Sequence, residues 1–319
     1  MVASQIGRHA LAGRLPPHRD AVTVDFAIER AMNLQTLIDA TRQESEGRKE
    51  KDSLKSLKAK IKDLPPARGF IRQIASRPFS LIAEIKLKSP SMGRMSILES
   101  QDIAHVHRLY DRHPVVSTIS VLTQNAYFGG SPAALRQVHR ETRKPVLRKD
   151  FIIDEYEVYY SRAIEADAML LMASVVTDKA RFQALHDLAV ELGMDVLCEV
   201  HDEKEIELLP PSAKLCGINS RNFQSGARFS LSKITRLVGR DFTTDLNVFE
   251  LAAHLPASCV KIAESGLNSA NIGEVLGRHI FNAALVGTSL LRGGEKHTIE
   301  ELGRFGAAIA SEFGQTAPA

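Results

Sequence analysis

The chain has 319 residues, of which 44% are apolar and 25% charged, with a formal net charge of +3. That length allows one large domain or two small ones, each with a sizeable core. So small a charge, spread along the chain, argues against a nucleic-acid or membrane-surface partner, and no apolar run is long enough to span a bilayer.

Residues 1–22 contain Pro16 and Pro17, several Arg and His, and no acidic residue before Asp20. They lack the apolar stretch of a secretory signal, and although faintly like an organelle transit peptide they are short. The expectation is a flexible arm, followed by a single domain over 23–319. From Phe26 to Leu64 the spacing of Met32, Leu34, Leu37 and Ile38 predicts helix. The charge-rich run from Gln43 to Lys62 reads mostly as a solvated helix face. Pro65-Pro66 ends it, and a short helix over 70–75 completes an N-terminal helical extension spanning 26–76.

Beyond Leu81, strand and helix alternate. Strands are expected at 81–86, 118–123, 145–150, 168–173, 195–200, 215–220, 260–265 and 283–288. Helices are expected between them, among others at 131–142, 156–165, 178–192 and 270–277. Near-continuous apolar strands separated by amphipathic helices predict a parallel sheet covered on its outer face. Eight such units fit a closed (β/α)8 TIM barrel of the α/β class. An open doubly wound sheet is the rival, but no Gly-x-Gly-x-x-Gly follows the first strand and polar endings occur on many strands. Cys198, Cys216 and Cys259 fall in or beside strands, cannot all pair and have no metal spacing. They read as reduced core residues of a reducing, cytoplasmic compartment. Neither a metal nor an organic cofactor is implied, and five tyrosines with no tryptophan offer nucleic acid no stacking platform.

The strand endings carry the chemistry. In a (β/α)8 barrel the reacting side chains sit at the C-terminal strand ends and in the loops that follow. Here the first strand ends Glu84-Ile-Lys86, the third Leu147-Arg-Lys149-Asp150, and the fifth Leu197-Cys-Glu199-Val-His201. The sixth ends Gly217-Ile-Asn219-Ser-Arg221, the seventh Ala263-Glu-Ser265-Gly266, and the eighth Val286-Gly287-Thr288-Ser. Alternation puts Glu84 with Lys86, Lys149 with Leu147, Glu199 with Leu197 and Asn219 with Gly217. If those faces point inward, two lysines and two glutamates converge at the mouth, which suits general acid–base work on a polar substrate. Gly287-Thr288 after Ser265-Gly266 reads as a phosphate cradle at the position where barrels often hold phosphate. Asp202 reads as a helix cap and His201 as peripheral.

These segments resemble the indole-3-glycerol phosphate synthase family. The resemblance rests on Ala83-Glu-Ile-Lys-Leu-Lys-Ser-Pro-Ser91, Ile119-Ser-Val-Leu-Thr123, Tyr127-Phe-Gly-Gly-Ser131 and Pro145-Val-Leu-Arg-Lys-Asp-Phe-Ile-Ile-Asp154. Ala166-Asp-Ala-Met-Leu-Leu171, Glu199-Val-His201, Gly217-Ile-Asn-Ser-Arg-Asn222, Ala263-Glu-Ser-Gly266 and Val286-Gly-Thr-Ser-Leu290 follow in the family's order. The resemblance implies that 1-(2-carboxyphenylamino)-1-deoxyribulose 5-phosphate closes its ring, loses carbon dioxide and then loses water. By the same resemblance Lys149 is the general acid on the carbonyl, and Lys86 stands near the substrate carboxylate. Glu199 does acid–base work on the intermediate, and Glu84 supports the catalytic lysine. Asn219, Arg221 and Ser265 match residues that orient the substrate or complete the hydrogen-bond network. Lys88, Ser89, Gly266, Gly287 and Thr288 match the phosphate-binding set, and the N-terminal helix matches an extension that packs over the mouth.

Some positions depart from the family pattern. Glu155 and Glu157 stand where Pro and Gln are common, Glu165 where Gly is common, and an additional segment is suggested near 239–247. Two rival readings follow: a paralogue acting on a related anthranilate-derived phosphate, and a non-catalytic barrel that binds a phosphorylated metabolite. The expected partner is a small phosphorylated substrate, with the chain a monomer or weak homo-oligomer.

Overall fold

The structure, a computed structural model, describes residues 34–89, 93–94, 103–221 and 245–314. The expected arm with its boundary at residue 22, the helix start at Phe26 and residues 239–244 of the additional segment lie outside them. Eight parallel strands close into a barrel: β1 (Ser80–Ile85), β2 (Val116–Leu122), β3 (Val146–Lys149), β4 (Ala168–Met172), β5 (Asp195–Val200), β6 (Leu215–Asn219), β7 (Val260–Glu264) and β8 (Ala283–Val286). Each pairs with its neighbours in sequence, and β1 closes the ring by pairing with both β2 and β8. The chain is therefore a TIM barrel, and the expected strand positions are met within about two residues.

Alternation sorts the strands into two layers. Leu81, Ala83, Ile85, Ile119, Val121, Val196, Cys198, Val200, Cys216, Ile218, Ala263 and Val286 join the helix-facing core. The intervening residues, among them Ile82, Glu84, Leu147, Lys149, Leu197, Glu199 and Gly217, face the barrel axis. Cys198, Cys216 and Cys259 are all buried free thiols.

Around the barrel lie α4 (Ile103–Arg112), α5 (Pro132–Glu141), α6 (Glu155–Ala163), α7 (Lys179–Glu191), α8 (Glu203–Ile206), α9 (Ile272–Leu276), α10 (Thr288–Leu291) and α11 (Gly294–Phe313), with a 3-10 helix at Leu246–Ala253. Four of these start from side-chain caps legible in the sequence. Ser131, Asp154, Asp178 and Asp202 accept the amides of Ala134, Glu157, Arg181 and Glu205, respectively. Pro132 at the start of α5 fits a position whose N–H would have no helical partner. Among the described residues no helix is long and apolar enough to cross a membrane.

Before the barrel come α1 (Leu34–Lys51), α2 (Leu54–Lys62) and α3 (Phe70–Ala75). The charged run on α1 is only in part a solvated face. Glu44 accepts the backbone amides of Asn125 and Ala126 after β2, at 3.1–3.3 Å, and Lys49 Nζ lies 2.8 Å from Asp154. Arg48 reaches Glu157 Oε1 at 2.9 Å, while Glu157 Oε2 lies 2.6 Å from Arg148 Nη2, itself 2.9 Å from Asp150. The Arg48 and Arg148 guanidinium groups also flank the Tyr160 ring, each 5.2 Å from its centroid.

Glu157 and Arg148 are fully buried. Burial pushes the Glu157 carboxyl up, but Arg148 and Arg48 outweigh it and hold its pKa below the ordinary value. Glu157 therefore does structural work: as an anion it neutralises one cation from β3 and one from α1. Truncating one member of such a network strands the remaining buried charges. Glu157→Ala is expected to lower stability by about 3–5 kcal/mol in equilibrium urea unfolding, whereas exposed Glu50→Ala changes it by less than about 0.5 kcal/mol.

Candidate active site

At the C-terminal end of the barrel a cavity of about 730 Å³ opens between the strand ends and the loops that follow. Its floor is a charged cluster. Lys149 Nζ, at the end of β3, lies 3.0 Å from Glu199 Oε2 on β5 and 2.8 Å from Glu264 Oε2 on β7. Lys86 Nζ lies 2.9 Å from Glu84 Oε1. Asn219 on β6 donates from Nδ2 to Glu199 Oε1 at 3.0 Å and accepts the Arg221 amide on Oδ1 at 2.9 Å. These residues come together because the register aligns their strands: Glu199 pairs with Gly217, and Asn219 with Glu264.

Two buried glutamates share one ammonium, so they cannot be equivalent. Burial raises the pKa of both; Lys149, His201 and Asn219 more than reverse this at Glu199, bringing it down to about 2. At Glu264, burial and the neighbouring Glu199 charge outweigh Lys149, and the carboxyl rises to about 8. For Lys149 burial acts against the charge, and Glu199, Glu264 and Glu84 outweigh it, so its pKa is raised. At neutral pH the site therefore holds an ammonium, one carboxylate and one carboxylic acid.

The lining of the cavity explains several small residues. A Cβ on Gly217 would overlap Glu264 Oε1, and one on Gly287 would stand 2.5 Å from Glu84 Oε1 and 3.1 Å from Lys86 Nζ. Ser265 and Gly266 both adopt left-handed backbone, at φ 71 and 66, so the chain turns sharply after β7 and carries both residues to the cavity wall. Thr288 begins α10 on the same rim, beside Gly287. Opposite them, Phe128 and Phe151 with Leu170 and Met172 form an apolar wall, the two rings 6.3 Å apart.

The structure thus brings together Lys149, Glu199, Lys86, Glu84, Asn219, Ser265, Arg221, Gly266, Gly287 and Thr288 around one cavity. Lys88 is exposed in a two-residue ladder, Lys88–Ser89 with Gly93–Arg94, and does not line the cavity; the Ser89 side chain lies outside the described residues. Glu264, beside the expected Ser265, joins the cluster as well, and its alternation with Ile262 along β7 is the sequence signal for it. His201, read as peripheral, is buried beside Glu199, its Nε2 3.7 Å from Glu199 Oε1. Among the described residues no group of three or more His, Cys, Asp or Glu side chains is arranged to hold a metal ion.

The two glutamates push stability in opposite directions with pH. Folded Glu264 keeps a proton that the unfolded chain, at its ordinary value of 4.5, releases, so stability falls as pH rises from 4.5 to about 8. Glu199, lowered to about 2, adds stability that is lost as pH falls from 4.5 toward 2. Urea unfolding at pH 5 and pH 8 is expected to show a decline in the native chain that Glu264→Gln reduces.

Comparison with known proteins agrees with this geometry. Residues 34–302 match the family model "Indole-3-glycerol phosphate synthase". An indole-3-glycerol phosphate synthase of Lachnospira eligens is 37% identical over 70% of this chain and 78% of its own length. One of Magnetococcus marinus is 35% identical over 82% of this chain and 94% of its own. Among solved structures, 3-hexulose-6-phosphate synthase from Salmonella typhimurium aligns with a TM-score of 0.53 at 14% identity, covering 73% of this chain and all of that one, a likeness of fold alone. With the family model spanning most of the barrel and relatives above 30% identity along its length, the chain belongs to the indole-3-glycerol phosphate synthase family of carboxy-lyases.

Proposed function

We propose that this cavity converts 1-(2-carboxyphenylamino)-1-deoxyribulose 5-phosphate into indole-3-glycerol phosphate, carbon dioxide and water. The observation that carries the assignment of roles is the Lys149 ammonium held between Glu199 and Glu264 at the barrel mouth. The Lys149 proton goes to the ketone oxygen as the ring carbon bearing the carboxylate attacks the carbonyl carbon. The new carbon–carbon bond breaks aromaticity at that position, and loss of carbon dioxide restores it. The hydroxyl left at the former carbonyl then departs as water, assisted by the ring nitrogen's lone pair, and a proton leaves the adjacent methylene.

Glu199, anionic at neutral pH, is suited to take that last proton. Lys86 pairs the substrate carboxylate, with Glu84 fixing its ammonium at 2.9 Å. Protonated Glu264 moderates the negative charge around Lys149, which a second full carboxylate would bind too tightly for it to act as an acid. Asn219 and Ser265 orient the reacting end. Gly266, Gly287 and Thr288 take the phosphate, and Arg221 on the same cavity wall orients the substrate. Holding the substrate at both ends presses the reacting carbons together, and the placed charges favour the polar transition states.

The departure at Glu157 lends no weight to an altered substrate, because that side chain is spent on Arg148 and Arg48 behind the barrel wall. The reading takes the protein to be a cytoplasmic enzyme of tryptophan biosynthesis, a monomer or weak homo-oligomer, with a phosphorylated small molecule as partner and no nucleic acid.

Turnover of the synthetic substrate, followed by indole fluorescence, is the test. Lys149→Ala is expected to lower kcat by about 10²–10⁴-fold while substrate still binds; full activity in that variant would exclude the assigned role. Gly217→Ala is expected to displace the Glu264 carboxyl group and lower kcat by about tenfold or more, and to lower stability in urea by about 1–3 kcal/mol.

A further inference from the structure

The reaction assigned to the cavity needs Glu199 held in one orientation, and Lys149 at Oε2 and Asn219 at Oε1 are not its only charged or polar neighbours. His201 is two residues further along the chain and, by alternation, on the same side of β5. Its ring is gripped from behind. Glu205 Oε2, in the first turn of α8, accepts the His201 backbone amide at 2.7 Å and lies 3.1 Å from Nδ1. The Asp202 cap fixes that turn by accepting the Glu205 amide at 2.9 Å. A carboxylate at Nδ1 requires a hydrogen there, and Nε2 on the other side of the ring faces Glu199 Oε1 at 3.7 Å, an ion-pair separation longer than a hydrogen bond. The ring and both carboxylates are buried: Glu199, Glu205 and His201 are each less than one-tenth exposed.

We infer that His201 is a positioning residue, an imidazolium clamped between Glu205 and Glu199 that holds Glu199 with Oε2 toward Lys149 and Oε1 toward Asn219. The titratable groups that face it are Glu199 from β5, Glu205 from α8 and Glu264 from β7, and across Glu199 stands Lys149 from β3. Burial alone lowers the imidazole pKa, but Glu205 and Glu199 more than offset it and raise it. The arrangement has a consequence during turnover. When Lys149 gives up its proton, Glu199 loses its nearest cation; the imidazolium remains and keeps a buried carboxylate ionised and in place. Glu205 makes no approach to the reacting atoms and acts only through the ring.

The inference rests on the proposed reaction, and two measurements separate its fate from that of the reaction. Nitrogen-15 NMR of the native protein at pH 7 reads the ring directly: protons on both Nδ1 and Nε2 are expected, and a neutral ring would overturn the clamp whether or not the enzyme turns over. Kinetics read its effect. His201→Leu is expected to lower kcat by about tenfold or more with KM within about twofold, and His201→Gln, which keeps an N–H for Glu199, to recover most of that loss. Undiminished kcat in His201→Leu would overturn the inference, as would equal losses in the Leu and Gln variants. If the Leu variant fails to fold, the NMR result and the Gln variant decide it.

Discussion

The site depends on one buried ammonium, that of Lys149. Lys149 stands at the end of a strand whose other inward residue is leucine, so its charge needs partners there. Two carboxylates answer that need, and burial keeps them from both ionising. The result is an ammonium whose hold on its proton is set by how charge divides between Glu199 and Glu264. Gly217 has no side chain because Glu264 occupies that space, and Gly287 none because Glu84 and Lys86 approach it.

Adjacent residues of β3 send cations to opposite faces. Lys149 points into the barrel, and Arg148 points into the helix layer, where Glu157, Asp150 and Ser161 surround it. The outer cation ties the strand to α6 and, through Glu157 and Arg48, to α1. Glu44 meanwhile fastens α1 to the loop after β2. The N-terminal helix is thus joined to the two strands that lead to Lys149 and to the Phe128 side of the cavity. A change at Arg48, remote in sequence from the strand ends, acts on the scaffold that aims Lys149.

Much of this was open to inspection in the sequence. Strand apolarity, cap residues such as Ser131 and Asp154, and the recurrence of polar endings mark the barrel and its working end, because these are local patterns with a fixed period. Alternation alone groups Glu84 with Lys86, Lys149 with Leu147, Glu199 with Leu197 and Asn219 with Gly217 on common faces, and barrel closure turns those faces inward. Glu264 was legible by the same rule, but its neighbour in the Glu-Ser-Gly turn drew the assignment instead. A helix-start pattern accounts for His201 locally, and only the fold shows that its ring is buried beside Glu199.

The sequence by itself determined the eight-fold alternation, the covered parallel sheet and the identity of most side chains at the mouth, since period and composition are properties of the chain. Only the tertiary structure decided which charges share a partner. Lys149 and Glu264 are 115 residues apart, and Arg48 and Glu157 are 109. Their distances are set by barrel closure and strand register, and so is the division of protons between them. Ionisation in a buried cluster is a property of the whole set, and no one segment of the chain contains that set.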